Sequence, residues 1–134
     1  AYCTSRMPRP CVDIVFSCGD EVLLLRRQIE PEKGNWSLPG GGMQKGFTVQ
    51  QMVVLKAKEE TGIIIGEQQL KLTGAATYFF PQRQDVCFTF LVKLEKKPKI
   101  ILSYQHDVYQ WFSFNDLPYT LQREQMEMCR DGMV

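Results

Sequence analysis

Apolar residues follow two different periods along this chain. Residues 11–18 (CVDIVFSC) and 21–27 (EVLLLRR) are runs of β-branched, aliphatic and aromatic side chains, which predict two strands. Gly19-Asp20 between them is turn chemistry, so the pair reads as a hairpin. Residues 28–35 contain Pro31 and Gly34 and read as a loop. Residues 36–38 form a short strand, stopped by Pro39 and three glycines. The period then changes. Val49, Val53 and Ala57 recur at every fourth position, with Met52 and Val54 beside them, which is the core-facing stripe of a helix. Thr48 followed three residues later by Gln51 fits a capping box, and Gly62 is placed to end the helix. Residues 70–80, 85–94, 100–103 and 108–114 are strand-like again. Residues 115–118 read as a turn, and 119–129 as a closing amphipathic helix. Strands around one central helix, with a second helix at the end, predict a mixed α/β or α+β sandwich.

Composition narrows this picture in a few places. With 134 residues and 44% apolar content, the chain reads as one domain with a real core rather than a disordered segment. A formal net charge of +1 carries no basic surplus of the kind that marks a dedicated nucleic-acid binder, so no DNA partner is expected. Cys3, Cys11, Cys18, Cys87 and Cys129 are dispersed without CxxC spacing and read as reduced thiols. Structural zinc does not fit, because His106 has no cysteine pair near it. No apolar run is long enough for a membrane span, and residues 1–6 lack the character of a signal peptide. The expectation is a soluble cytoplasmic domain, and the start without Met reads either as trimming or as an artificial boundary.

The chemistry concentrates in two places. Leu38-Pro39-Gly40-Gly41-Gly42 precedes the helix, and Glu59-Glu60-Thr61-Gly62-Ile63 ends it. Glycines let main-chain N–H groups approach phosphate oxygens, and carboxylates near them suit Mg²⁺. On a helix, positions 56, 59 and 60 stand as i, i+3 and i+4, so Lys56, Glu59 and Glu60 are expected to share a face. The bland readings are a tight bend for the glycines and a solvated helix end for the glutamates.

Residues 38–63 resemble the signature of the Nudix hydrolase family: Gly, five residues, Glu, seven residues, Arg-Glu, an aliphatic, one residue, Glu-Glu, one residue, Gly, an aliphatic. In this chain it runs from Gly41 to Ile63, with Ala57 at the first aliphatic position. The resemblance extends over about residues 9 to 118. It implies a Nudix-type α/β/α sandwich with a mixed central sheet, binding a nucleoside diphosphate linked to another group, with Mg²⁺ or Mn²⁺. The matching positions imply Glu59 and Glu60 as metal ligands and the Gly41-Gly42 loop as part of the substrate site. Arg27, at a strand end, and Tyr78, leading into the Pro81 loop, are candidates for substrate contact. The departures are as informative: Phe47, Leu55 and Lys56 stand where the signature has Glu, Arg and Glu. Phe47 reads as a loop anchor packing into the core. Lys56 cannot accept a proton, so the base must come from elsewhere, with Asp107 as a stand-in in the loop before the last strand. An ammonium there also weakens any divalent site, so slowed hydrolysis is expected. A catalytically dead relative that binds a nucleotide, an RNA end or a protein is the alternative. A homodimer is compatible with all of this.

Overall fold

The structure is a computed structural model that describes residues 7–30, 32–118 and 121. The two apolar runs near the start become β1 (Arg9–Cys18) and β2 (Glu21–Arg27). They meet through a two-residue turn in which Gly19 takes a φ of 61°, with Ser17 opposite Val22 and Cys18 opposite Glu21. Beyond that corner the hairpin splays. The rest of that edge of β1 is occupied by β4 (Gly40–Gly42), paired as Cys11 with Gly42, Val12 with Gly41 and Asp13 with Gly40. The triple glycine is therefore a strand, and its ladder is extended by Met43 N–H to Pro10 C=O and Ile14 N–H to Pro39 C=O. The short β3 (Trp36–Ser37) pairs with β2.

The other edge of β1 runs parallel to β6 (Arg83–Leu94) from Arg9 opposite Asp85 to Cys18 opposite Leu94. β5 (Lys71–Phe80) is antiparallel to β6, with a register shift between Leu72 and Gly74. β7 (His106–Ser113) is antiparallel to β2. The described strands form one mixed sheet ordered β3-β2-β1-β6-β5, with β4 and β7 joining β1 and β2. Residues 100–103, expected as a strand, are not one. That segment is held by the end of the helix instead: Ile100 is buried and the Ile101 N–H donates to the Thr61 carbonyl at 2.8 Å.

Among the described residues one α-helix packs on this sheet. α1 (Val49–Thr61) has the expected N-terminal box: Thr48 accepts from the Gln51 N–H and Gln51 accepts from the Thr48 N–H. Gly62 closes it with a φ of 76° and its N–H on the Lys58 carbonyl. Met52, Val53 and Ala57 are fully buried against Val12, Ile14, Phe16, Leu23, Leu25, Phe90 and Val92. The opposite sheet face buries Val15, Val22, Leu24, Leu38, Leu91, Phe114 and Leu121. The mixed sheet with its packed helix is the α/β arrangement expected, while the closing helix falls almost wholly outside the described residues. Phe47 corrects an expectation: at 41% exposure it lies on the surface and does not anchor the loop in the core. Among the described residues no helix is long and apolar enough to cross a membrane.

Candidate functional site

Helical spacing decides which side chains of α1 enter the site. Val53, Lys56, Ala57 and Glu60 stand at i, i+3, i+4 and i+7, so the stripe that buries Val53 and Ala57 also carries Lys56 and Glu60. Both line a cleft of about 400 Å³. Glu60 is 6% exposed, and its Oε1 accepts from the Gly40 N–H at 3.1 Å. Burial pushes its carboxyl up to about 7, against the opposing pull of that hydrogen bond and of Lys56. Glu59 lies 100° further round the helix by its regular geometry of about 3.6 residues per turn. It is exposed and does not line the cleft, and its Oε1 lies 3.9 Å from Lys56 Nζ. The three residues thus lie within one arc of about 100° of the helix, as expected, but only Lys56 and Glu60 line the cleft, while Glu59 stands at the outer edge of that arc.

The glycine strand is shaped by what lies against it. A Cβ at Gly40 would fall 2.0 Å from the Val12 carbonyl oxygen. At Gly41 it would meet Lys56 Cε at 3.2 Å and Nζ at 3.4 Å, and at Gly42 the Arg9 Nη1 at 3.0 Å. The missing side chains therefore leave room for two cations along three residues of backbone.

Strand alternation assembles the rest. Arg9, Cys11 and Asp13 on β1 face the same way as Asp85 and Cys87 on β6 and Tyr78 on β5, and all six line the cleft. Asp85 is buried and gripped by two arginines: Arg9 Nε and Nη2 at 3.2 and 3.1 Å, and Arg83 Nε at 3.2 Å. Arg83 also stacks on Phe80, 4.5 Å from the ring centre. Asp13 is buried and accepts from the Tyr78 hydroxyl at 3.2 Å; desolvation lifts its carboxyl to about 7 despite that bond. The Cys87 thiol is pushed up by its hydrogen bond with Cys11 and by burial, so it stays protonated.

Of the residues singled out from sequence, Gly41, Gly42, Arg27, Tyr78 and Glu60 all line this cleft. Asp107 does not. It lies in β7 rather than in a loop, and adjacent strand residues point to opposite faces, so His106 enters the cleft while Asp107 stays outside. There Arg26 holds it through two hydrogen bonds of 3.1 and 2.9 Å, which keep its carboxyl below the usual range. An exposed carboxylate locked to an arginine is poorly placed to act as a base on a ligand in the cleft. His106 is buried, at 5% exposure. Burial, helped by Arg27, lowers it to about 4, so it is neutral near pH 7, and its Nδ1 has no hydrogen-bond partner among the described residues. Arg9, Asp13, Arg83 and Asp85 were missed. The available signal was the charged residue inside an apolar strand, Asp13 in CVDIVF, with Arg9 and Cys11 at the alternate positions before it.

Mg²⁺ and Mn²⁺ require several oxygen donors converging on one point. Among the described residues no three His, Cys, Asp or Glu side chains gather in a way that would hold a metal ion. Glu60 already engages one oxygen with the Gly40 N–H, Glu59 is outside the cleft, and the Lys56 ammonium lies between backbone and carboxylate. The shared divalent site expected on Glu59 and Glu60 does not fit this donor set.

Residues 7–131 match the NUDIX domain family. This chain belongs to the Nudix family. An uncharacterized Nudix hydrolase of Bacillus subtilis is 32% identical over 108 residues, covering 77% of this chain and 65% of that protein. An ADP-ribose pyrophosphatase of Methanocaldococcus jannaschii is 42% identical over 57 residues, covering 42% of this chain and 34% of that protein. The chain thus spans less than two thirds of the length of either relative. A MutT Nudix hydrolase from Burkholderia pseudomallei superposes with a TM-score of 0.84 at 22% identity, over 94% of this chain and 98% of that one. That likeness shows that the Nudix fold extends over nearly the whole chain.

Proposed function

We propose that this Nudix domain binds the diphosphate of an ADP-ribose-like nucleoside diphosphate derivative in the cleft and hydrolyses it only weakly. One observation carries the reading: Arg9, Arg27, Lys56 and Arg83 line the same cleft as the bare backbone of Gly40–Gly42. Four cations lining one cleft beside a strand without side chains are suited to a doubly charged diphosphate, and about 400 Å³ is within the size range of small-molecule sites. Gly41, Gly42 and Arg27 would contact the diphosphate, with Tyr78 in the wall. The partial match to an ADP-ribose pyrophosphatase supports ADP-ribose as the first compound to test. Glu60 supports residual turnover, because a carboxyl near pH 7 is suited to take a proton from water. Lys56 in the place of the signature's glutamate supports slow turnover, since an ammonium accepts no proton.

The second reading, binding without any turnover, is favoured by the same Lys56 and by Glu59 standing outside the cleft. Calorimetry with ADP-ribose, and chromatographic product analysis over a panel of nucleoside diphosphate compounds, separate the two. Binding with slow turnover that disappears in Glu60→Gln supports weak hydrolysis. Binding with no product at any enzyme concentration supports the second reading. Absence of binding across the panel removes both.

A further inference from the structure

Building on the diphosphate reading, we propose that the Lys56 ammonium is a built-in cation that does the charge-neutralising work of a divalent ion, so that this cleft binds a nucleoside diphosphate derivative without metal. Three features of the structure support this.

The first is position. Lys56 shares its helix stripe with Glu60, and its side chain is 17% exposed, so the ammonium is presented inside the cleft rather than to bulk water. The second is the room made for it. Gly41 leaves open the space that a Cβ would take from Lys56 Cε and Nζ. The ammonium therefore lies against the bare glycine backbone that lines the cleft. The third is availability. The Lys56–Glu59 contact is loose at 3.9 Å and has an exposed carboxylate, a kind of pair that contributes little. The ammonium keeps donors for an incoming phosphate oxygen.

The surroundings agree. Asp85 is engaged by Arg9 and Arg83, and Glu60 by the Gly40 N–H; Lys56 acts on Glu60 through its charge and not through an ion-pair contact. A divalent ion brought to the same point would meet a positive charge held in place by the helix, with one cleft-facing carboxyl of α1 to hold it.

The test is titration calorimetry of ADP-ribose into the chain in EDTA and, separately, in saturating Mg²⁺, with circular-dichroism melts to verify that each variant is folded. The wild type is expected to bind with affinities within about twofold of each other in the two buffers. Lys56→Gln is expected to weaken binding in EDTA by about tenfold or more, as loss of a charge-assisted contact does, and Lys56→Arg to retain most of it. Lys56→Glu is expected to bind in Mg²⁺ but not in EDTA. Wild-type binding seen only with metal would overturn the inference and leave the diphosphate reading standing. So would a folded Lys56→Gln that binds in EDTA as well as wild type. No binding in either buffer, by ADP-ribose or by any other compound of the nucleoside diphosphate panel, would remove the diphosphate reading and this inference together.

Discussion

Two residues show how closely the cleft depends on single atoms. Gly40 pairs with Asp13 so closely that any Cβ would collide with the Val12 carbonyl, and backbone cannot swing aside as a side-chain tip can. Gly40→Ala is expected to lose about 1–3 kcal/mol in urea denaturation, the range for overpacking; an unchanged midpoint would mean that β4 is not seated as described. Asp13 gives a pH signature. Its ordinary value of 3.8 is raised to about 7 by burial. Between those values the folded chain holds a proton that the unfolded chain has released. The stability from this group is complete below about pH 4 and is lost as pH rises to about 7. Glu60 acts in the same sense from 4.5 to about 7, and His106, lowered from 6.5 to about 4, acts in the opposite one. Asp13→Asn should therefore show a smaller fall in denaturation midpoint between about pH 5 and pH 8 than wild type; an equal fall counts against the buried acid. At this scale sequence could name Glu60 and Arg27 but not rank them against Glu59 and Asp107. A one-residue step reverses the direction of a strand side chain, and one position turns a helical one by about 100°.

Among the elements, α1 was the most legible, because its signals are local. The box at Thr48 and Gln51, the four-residue stripe and the left-handed Gly62 all act within a few residues of one another. Thr48→Ala is expected to cost about 1 kcal/mol through loss of the cap. Gly62→Ala should cost about as much or more, since its φ of 76° disfavours a side chain and Ile101 Cβ lies 3.2 Å from the added carbon. Chemical denaturation of both variants measures this, and a neutral Gly62→Ala would contradict the cap geometry. β4 was not legible: three glycines carry no β propensity, and they form a strand because β1 offers an unpaired edge beyond the Gly19 corner. The segment at 100–103 failed in the other direction. Its apolar residues mark packing against the helix end, where Ile101 N–H meets the Thr61 carbonyl, and not a ladder. Phe47 misled for the same reason, as hydrophobicity alone does not say that a loop residue is covered.

At the scale of the whole molecule, the cleft gathers cations from β1, β2, α1 and β6 around one short strand. Ligand binding should therefore couple to global stability. ADP-ribose at about 100 times its dissociation constant is expected to add about 2.7 kcal/mol, a rise in melting temperature of roughly 10 °C for a domain of this size. Raising NaCl from about 0.05 to about 0.5 M should shrink that shift by screening the four cations; a salt-independent shift would indicate binding elsewhere. What the sequence determined by itself was whatever rests on neighbours in the chain: the strand runs, the capped helix, the Gly19 turn, and the glycine and glutamate spacing by which the family was recognised. The tertiary structure decided which of those groups face one another. Arg9, Asp13, Arg83 and Asp85 become one cluster because parallel pairing of β1 with β6 brings residues more than seventy positions apart into register. Pairing of this kind is chosen by burial of the whole sheet, a sum over many distant residues that no local pattern in the chain records.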